Sequence, residues 1–426
     1  MYRHLGIEEY KLWLYDQVAP IHFTLTASII GELHIDQLQQ ALIRVQQRHP
    51  LLNVRIVSDR SGKPWLVKDS SSIPLRVVKR QSEQQWHQEV ERELSHPFDS
   101  NQAPLIRMVL VHSRDISELI ITCQHSVADG MSTVYLIRDI LQIIGISDSQ
   151  QQVLPERPPY EYLTPNFTPK FQASSKENLA KSQLEFVNNL AYQKPTLPKN
   201  SHPRLLSWSL SAEETTALIH RCQQEQTTVH TAICAAFLLA ISQENKTDRN
   251  NDFKQHSKLK CFSPINIRRF ITSNIQEDFG LYLAAITTEH DLKPDLYVWD
   301  FARSIKYQLH QRMLPDQIFA HLPQIEDFIC TFPSPSSVKD LFWKVNSYDI
   351  GVSNLGRLNI PYQYGQLELA AIYGPALTTH YTNDRFVGVA TLNNKMFFTL
   401  VYSVAEFLPA QIQLLQKKAL QLLMQG

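Results

Sequence analysis

The sequence predicts an α/β protein, and three observations carry that reading. Strand-like and helix-like segments alternate along the chain; no glycine-rich phosphate loop accompanies them; and a proline-rich stretch divides the chain near its middle. At 426 residues and 43% hydrophobic content, the chain is long enough and apolar enough for two domains with sizeable cores.

In the first half, Ile21 to Leu33 is strand-like, and Ile35 to Arg48 reads as a helix with Leu38, Ala41, Leu42 and Val45 on one face, ended by Pro50. Strand character resumes over Asn53–Val57 and Pro64–Lys68. A second helix is expected from Ser82 to Leu94, then strands Leu105–His112 and Glu118–Cys123, then a helix over Met131–Leu141. Between Leu154 and Pro203 the chain carries eight of its 23 prolines, which makes 155–203 an inter-domain connection around one helix, Lys176–Leu190. The expected partition is therefore 1–154, 155–203 and 204–426.

The second half opens with a strand, Arg204–Leu210, after which Ser211 and Glu214 form a capping box for a helix to Gln224. Thr228 caps a buried helix to Ser242, and the polar stretch Gln243–Lys258 reads as a solvated loop. Strands Leu259–Pro264, Tyr282–Glu289 and Tyr348–Ser353 follow, with a helix over Asp295–Met313. Val387–Leu392 and Met396–Ser403 form a hairpin about Asn393-Asn394, because asparagine tolerates the left-handed conformations of tight turns. Pro409–Met424 is a terminal helix.

Composition excludes several classes. Lys plus Arg and Asp plus Glu are both 41, so there is no basic excess to neutralise nucleic-acid phosphates. The longest apolar run, Ala232–Ile241, is about half of the roughly 20 residues that a membrane span requires. The N-terminus lacks the pattern of a secretory signal, so a cytoplasmic address is expected. The five cysteines are widely spaced without a CxxC pair, which indicates neither a disulfide framework nor a zinc or other metal cluster.

The chemistry concentrates at Gln124-His125-Ser126-Val127-Ala128-Asp129-Gly130, an HxxxDG pattern on a strand-to-helix crossover. An imidazole with an ordinary pKa near 6.5 is partly neutral at neutral pH and can take a proton from a hydroxyl, amine or thiol. The structural reading of the same residues is a core histidine followed by a turn or helix cap. Cys123 shares a strand face with His125 at a spacing of two, which leaves a Cys-His nucleophile pair open as well.

Three later segments bear on the choice: Ser263-Pro264-Ile265-Asn266-Ile267-Arg268, Asp278-Phe279-Gly280, and Ser353-Asn354-Leu355-Gly356. With Gly31-Glu32-Leu33 and Arg48-His49-Pro50-Leu51-Leu52, they have the order and spacing of a known superfamily. The chain resembles the chloramphenicol-acetyltransferase-like acyltransferases, including polyketide-associated acyltransferases, alcohol acetyltransferases and free-standing condensation domains of peptide synthetases. The resemblance covers nearly the whole length. It implies two similar halves, each a mixed sheet flanked by helices in a two-layer α+β arrangement, with the active site in a tunnel between them.

The family's HHxxxDG motif implies His125 as general base, with Gln124 in place of the first histidine. It implies a structural salt bridge from Asp129 to Arg268, in preference to a proton-transfer dyad of Asp129 with His125, and places Gly130 at the helix start. Ser353 matches a serine that, in related dihydrolipoamide acyltransferases, donates to the tetrahedral oxyanion. Asp278-Phe279-Gly280 has a structural role on this reading, since the other elements of a kinase metal site are missing.

The resemblance further implies acyl transfer from a thioester, either acyl-coenzyme A or the phosphopantetheine arm of an acyl carrier protein or synthase, to an alcohol or amine acceptor. It implies no tightly bound cofactor and a monomer. The alternative is a non-catalytic condensation-like module that docks a carrier protein or small ligand, for which Gln124 is the motivating residue.

Overall fold

Near-continuous burial on both faces marks the two long strands at the heart of the first sheet, β2 (His22–Ile30) and β7 (Ile116–Gln124), paired antiparallel over nine residues. The computed structural model describes residues 2–59, 62–146, 152–165, 167–169, 202–247, 258–272, 275, 277–291, 296–345, 347–380 and 384–424. Within them, the chain runs β1 (Arg3–His4), α1 (Ile7–Val18), β2, α2 (Ile35–Arg48), β3 (Val54–Ser58), β4 (Pro64–Lys68), β5 (Leu75–Lys79), α3 (Gln85–Leu94), β6 (Ile106–His112), β7 and α4 (Gly130–Gly145). After the connection come β8 (Pro203–Leu210), α5 (Ala212–Gln224), α6 (Val229–Thr247), β9 (Lys258–Asn266), β10 (Leu283–Asp291), α7 (Val298–Arg312), α8 (Leu322–Cys330) and α9 (Pro335–Val345). The chain ends with β11 (Ile350–Arg357), β12 (Gln363–Tyr364), β13 (Leu367–Leu377), β14 (Arg385–Leu392), β15 (Lys395–Ser403) and α10 (Pro409–Met424).

Two six-stranded mixed sheets organise the molecule, in the orders β12-β13-β2-β7-β6-β5 and β10-β9-β11-β14-β15-β8, with a small β1-β4-β3 sheet beside them. This is the mixed-sheet, two-lobe α/β architecture that the sequence predicts. Local chemistry explains much of it. The α2 face of Leu38, Ala41, Leu42 and Val45 is buried, as its spacing requires. Ser211 and Glu214 form the expected reciprocal cap, with the Glu214 amide donating to Ser211 Oγ at 3.2 Å and the Ser211 amide to Glu214 Oε2 at 2.8 Å. Asn393 and Asn394 take φ of 45° and 60°, which closes the β14–β15 hairpin.

The chain beyond residue 204 does not stay in one half. β12 and β13 cross over and complete the first sheet, β13 pairing antiparallel with β2 from Glu368↔Ile30 to Leu377↔Phe23. A strand at 367–377 is absent from the sequence reading because Gly374-Pro375 interrupts it with two residues that ordinarily weaken strands. The crossover also brings the sheets into contact. A Cβ on Gly388 of β14 would fall 2.2 Å from the Pro375 carbonyl oxygen, so that approach requires glycine. Helices α1, α8 and α9 and strand β5 are likewise additions to the sequence reading. The helix expected at 176–190, and most of the loop expected at 243–258, lie outside the described residues. Among the described residues, no helix is long and apolar enough to cross a membrane.

Candidate active site

β7 ends at Gln124, and the turn that follows holds His125 by its amide, which donates to the Ile21 carbonyl at 3.1 Å. The ring lies against Phe23, with centroids 4.8 Å apart. Nδ1 is 3.0 Å from the Ala128 carbonyl oxygen, and because a carbonyl can only accept, that nitrogen carries the proton in the neutral ring. Nε2 is then the lone-pair nitrogen. Burial lowers the imidazole below its ordinary range against the opposing pull of the Ala128 hydrogen bond, which favours the neutral, proton-accepting form.

Asp129 begins α4 as its N-cap, accepting from the Ser132 amide at 2.8 Å. Its carboxylate also meets Arg268, Nη1 to Oδ2 at 2.9 Å and Nη2 to Oδ1 at 3.2 Å, and accepts from the Tyr282 amide at 2.8 Å. Ser132 Oγ accepts from the Gly280 amide at 3.0 Å and from Arg268 Nη2 at 2.8 Å. The motif turn is thereby latched to 278–282 of the second half, and Asp129 is committed to the ion pair. Its proton-transfer role with His125 has no geometry to support it, since His125 bonds to a backbone carbonyl instead.

Gly130 follows from packing. A Cβ there would lie 2.8 Å from Leu355 Cδ2 and 3.0 Å from Pro375 Cγ, so the absence of a side chain lets the start of α4 approach β11 and β13. Gln124 is fully buried; its Oε1 accepts from the Ser126 amide at 2.9 Å and pairs with Ser126 Oγ, which braces the turn from behind. Cys123 packs against Thr133, Sγ to Oγ1 at 3.7 Å, and burial pushes its thiol up to about 12. It lies away from the cavity that His125 faces, and a thiol so rarely ionised is a poor nucleophile.

That cavity, of about 140 Å³, lies between the two sheets, with His125, Gly130 and Phe23 on one side and Phe262, Ser353 and Leu355 on the other. Thus His125, Asp129, Gly130, Arg268 and Ser353 come together, whereas Gln124 and Cys123 stand behind the wall. Glu8 and Lys11 of α1 also line it. Lys11 pairs with Glu8, and His321 Nε2 sits 2.8 Å from Glu8 Oε1; against the burial that opposes them, these two partners hold the Glu8 carboxyl down to about 2. Glu8, Lys11 and Tyr15 share one face of α1 at i, i+3 and i+7, a spacing that in the sequence reads equally as a solvated face. Among the described residues, no group of three or more His, Cys, Asp or Glu is placed to hold a metal ion.

The condensation-domain family model matches residues 13–313, which include the whole motif turn and its Arg268 latch. The chain belongs to the condensation-domain family. Curated relatives of this condensation domain are much longer. A PKS-NRPS hybrid synthetase of Aspergillus fumigatus, psoA, is 27% identical over 252 residues, covering 57% of this chain and 6% of the synthetase. Malformin synthetase mlfA of Aspergillus brasiliensis is 25% identical over 322 residues, covering 68% of this chain and 6% of that protein. The chain thus corresponds to a small part of those synthetases.

Among solved structures, trichothecene 15-O-acetyltransferase TRI3 of Fusarium sporotrichioides superposes with a TM-score of 0.71 at 13% identity, covering 99% of this chain and 95% of that one. Polyketide synthase associated protein 5 of Mycobacterium tuberculosis gives 0.65 at 15% identity, covering 100% and 98%. These likenesses show a shared fold.

Proposed function

We propose that this condensation domain is an acyltransferase that moves an acyl group from a thioester, on coenzyme A or on a carrier-protein phosphopantetheine, to a hydroxyl or amine acceptor. The observation that carries the reading is the orientation of His125: Nδ1–H is tied to the Ala128 carbonyl, which assigns the lone pair to Nε2 on a ring that faces the cavity between the sheets. Neutral His125 takes the acceptor's proton as the acceptor attacks the thioester carbonyl. The imidazolium returns it to the departing thiolate, and no covalent acyl-enzyme is needed. Ser353, on the opposite wall, is the candidate donor to the tetrahedral oxyanion, a contribution of about 2.7–4 kcal/mol where such a donor is well aimed.

A screen of acyl-coenzyme A thioesters against alcohols and amines, read by free thiol, tests this. The reading expects acceptor-dependent thiol release. A protein that binds these compounds yet releases thiol with none of them is a docking module, and acyl transfer is then wrong.

A further inference from the structure

The charges on the cavity wall suggest which of the two acceptor classes the site takes. Among the described residues that line the cavity, four side chains are formally charged: Glu8, Lys11, Asp129 and Arg268. They are matched two by two. Glu8 faces Lys11 and also meets His321, and Asp129 faces Arg268 while accepting from Ser132 and Tyr282. Each carboxylate on the wall is therefore already committed to a cation. The remaining polar groups, among them Asn266, Ser353 and Thr379, are neutral, and most of the surface is apolar, from Phe23, Phe262, Phe342, Leu355, Leu377 and Phe386.

An alkyl amine, with a pKa near 10, arrives at neutral pH as an ammonium ion. To enter such a space it must lose its hydration without gaining an opposite charge, and an ion pays far more for that than a hydroxyl does. A hydroxyl enters uncharged and needs one acceptor for its proton, which His125 Nε2 provides. We infer that the site takes an uncharged hydroxyl acceptor on an apolar body and forms an ester, discriminating against amines. This rests on the acyl-transfer reading above. The acceptor O–H breaks with its proton passing to His125 Nε2, the C–O bond forms at the thioester carbonyl, and C–S cleavage releases a thiolate that recovers the proton. Ester and free thiol are the products, with no oxidant, reductant or metal needed to balance the step.

A matched pair of acceptors tests it: 2-phenylethanol and 2-phenylethylamine at equal concentration with octanoyl-coenzyme A at pH 8. Free thiol and product mass are read after subtraction of the enzyme-free reaction. Ester formation should exceed amide formation by at least about tenfold, the scale on which an unmatched buried charge is felt. Amide formed as fast as ester overturns the inference while leaving acyl transfer standing. Lys11→Met, which removes the lysine cation and leaves Glu8 with only the titratable His321, should narrow the ester-to-amide ratio by about tenfold by offering the ammonium a partner. An unchanged ratio in a folded variant overturns the charge-matching argument.

If neither acceptor releases thiol, the wider screen above decides acyl transfer, and binding decides the selectivity. The unfolding midpoint should rise with 2-phenylethanol and not with 2-phenylethylamine. A rise with the amine, or with neither, overturns the inference.

Discussion

Two partly buried histidines, one in each half, set the proposed base beside a packing residue. His125 follows β7 in the first half, and His230 sits in the first turn of α6 in the second. Burial depresses both imidazoles, His230 to about 4. Yet His230 Nε2 is spent on Ser263 Oγ at 2.9 Å, with Cys234 Sγ 3.6 Å away, and it lies on the side of β9 away from the cavity. His125 bonds through Nδ1 and turns its other nitrogen's side of the ring to the cavity. A lowered pKa is common to both, so it identifies neither. The distinguishing property is which nitrogen the protein leaves beside open space.

The comparison breaks most severely at Arg268. Arg268→Met leaves Asp129, 4% exposed, without its cation, and should cost about 3–5 kcal/mol, read as a fall in the unfolding midpoint. Thiol release should fall with it, because the His125 turn loses its latch. A loss below about 1 kcal/mol would show that the ion pair is not what holds the turn. Gly130→Ala should cost about 1–3 kcal/mol by driving a methyl toward Leu355 and Pro375, and should slow thiol release by displacing β11. His230→Leu should cost about 1–3 kcal/mol by leaving the buried Ser263 hydroxyl without that partner, with the rate of thiol release unchanged. A loss of rate there would erase the contrast between the two histidines.

The smallest effect is on pH dependence. On the proposed mechanism the reactive form of His125 is neutral, and burial lowers its pKa, so kcat/KM should stay flat as pH falls through the ordinary imidazole value near 6.5 and decline only below it. A decline centred above 6.5 would contradict the burial argument. For His230 the linkage concerns stability. Its folded value of about 4 lies below the unfolded one, so the contribution of its neutral form is full above about 6.5 and is lost as pH falls toward 4.

What was legible in the sequence is what short stretches determine. The β7 strand, the turn with Asp129 as cap and the Ser211 capping box depend on neighbours within a few residues, and the resemblance supplied Arg268, 139 residues from Asp129. β13 was not legible, because its place in the first sheet is set by pairing with β2 and its own Gly374-Pro375 argues against a strand. Nor was the α1 wall, since Glu8 and Lys11 look like a solvated surface pair until α8 brings His321 against them. The charge matching that bears on acceptor choice is for the same reason a property of the assembled cavity.

The central claim is that one histidine, set apart by its free ring nitrogen, transfers the proton. Acceptor-dependent thiol release by His125→Ala, measured beside His230→Leu and with folding verified for both, tests it most directly. The account predicts a fall of about 100-fold or more for His125→Ala and no change for His230→Leu. Thiol release by a folded His125→Ala protein at the unaltered rate would contradict it.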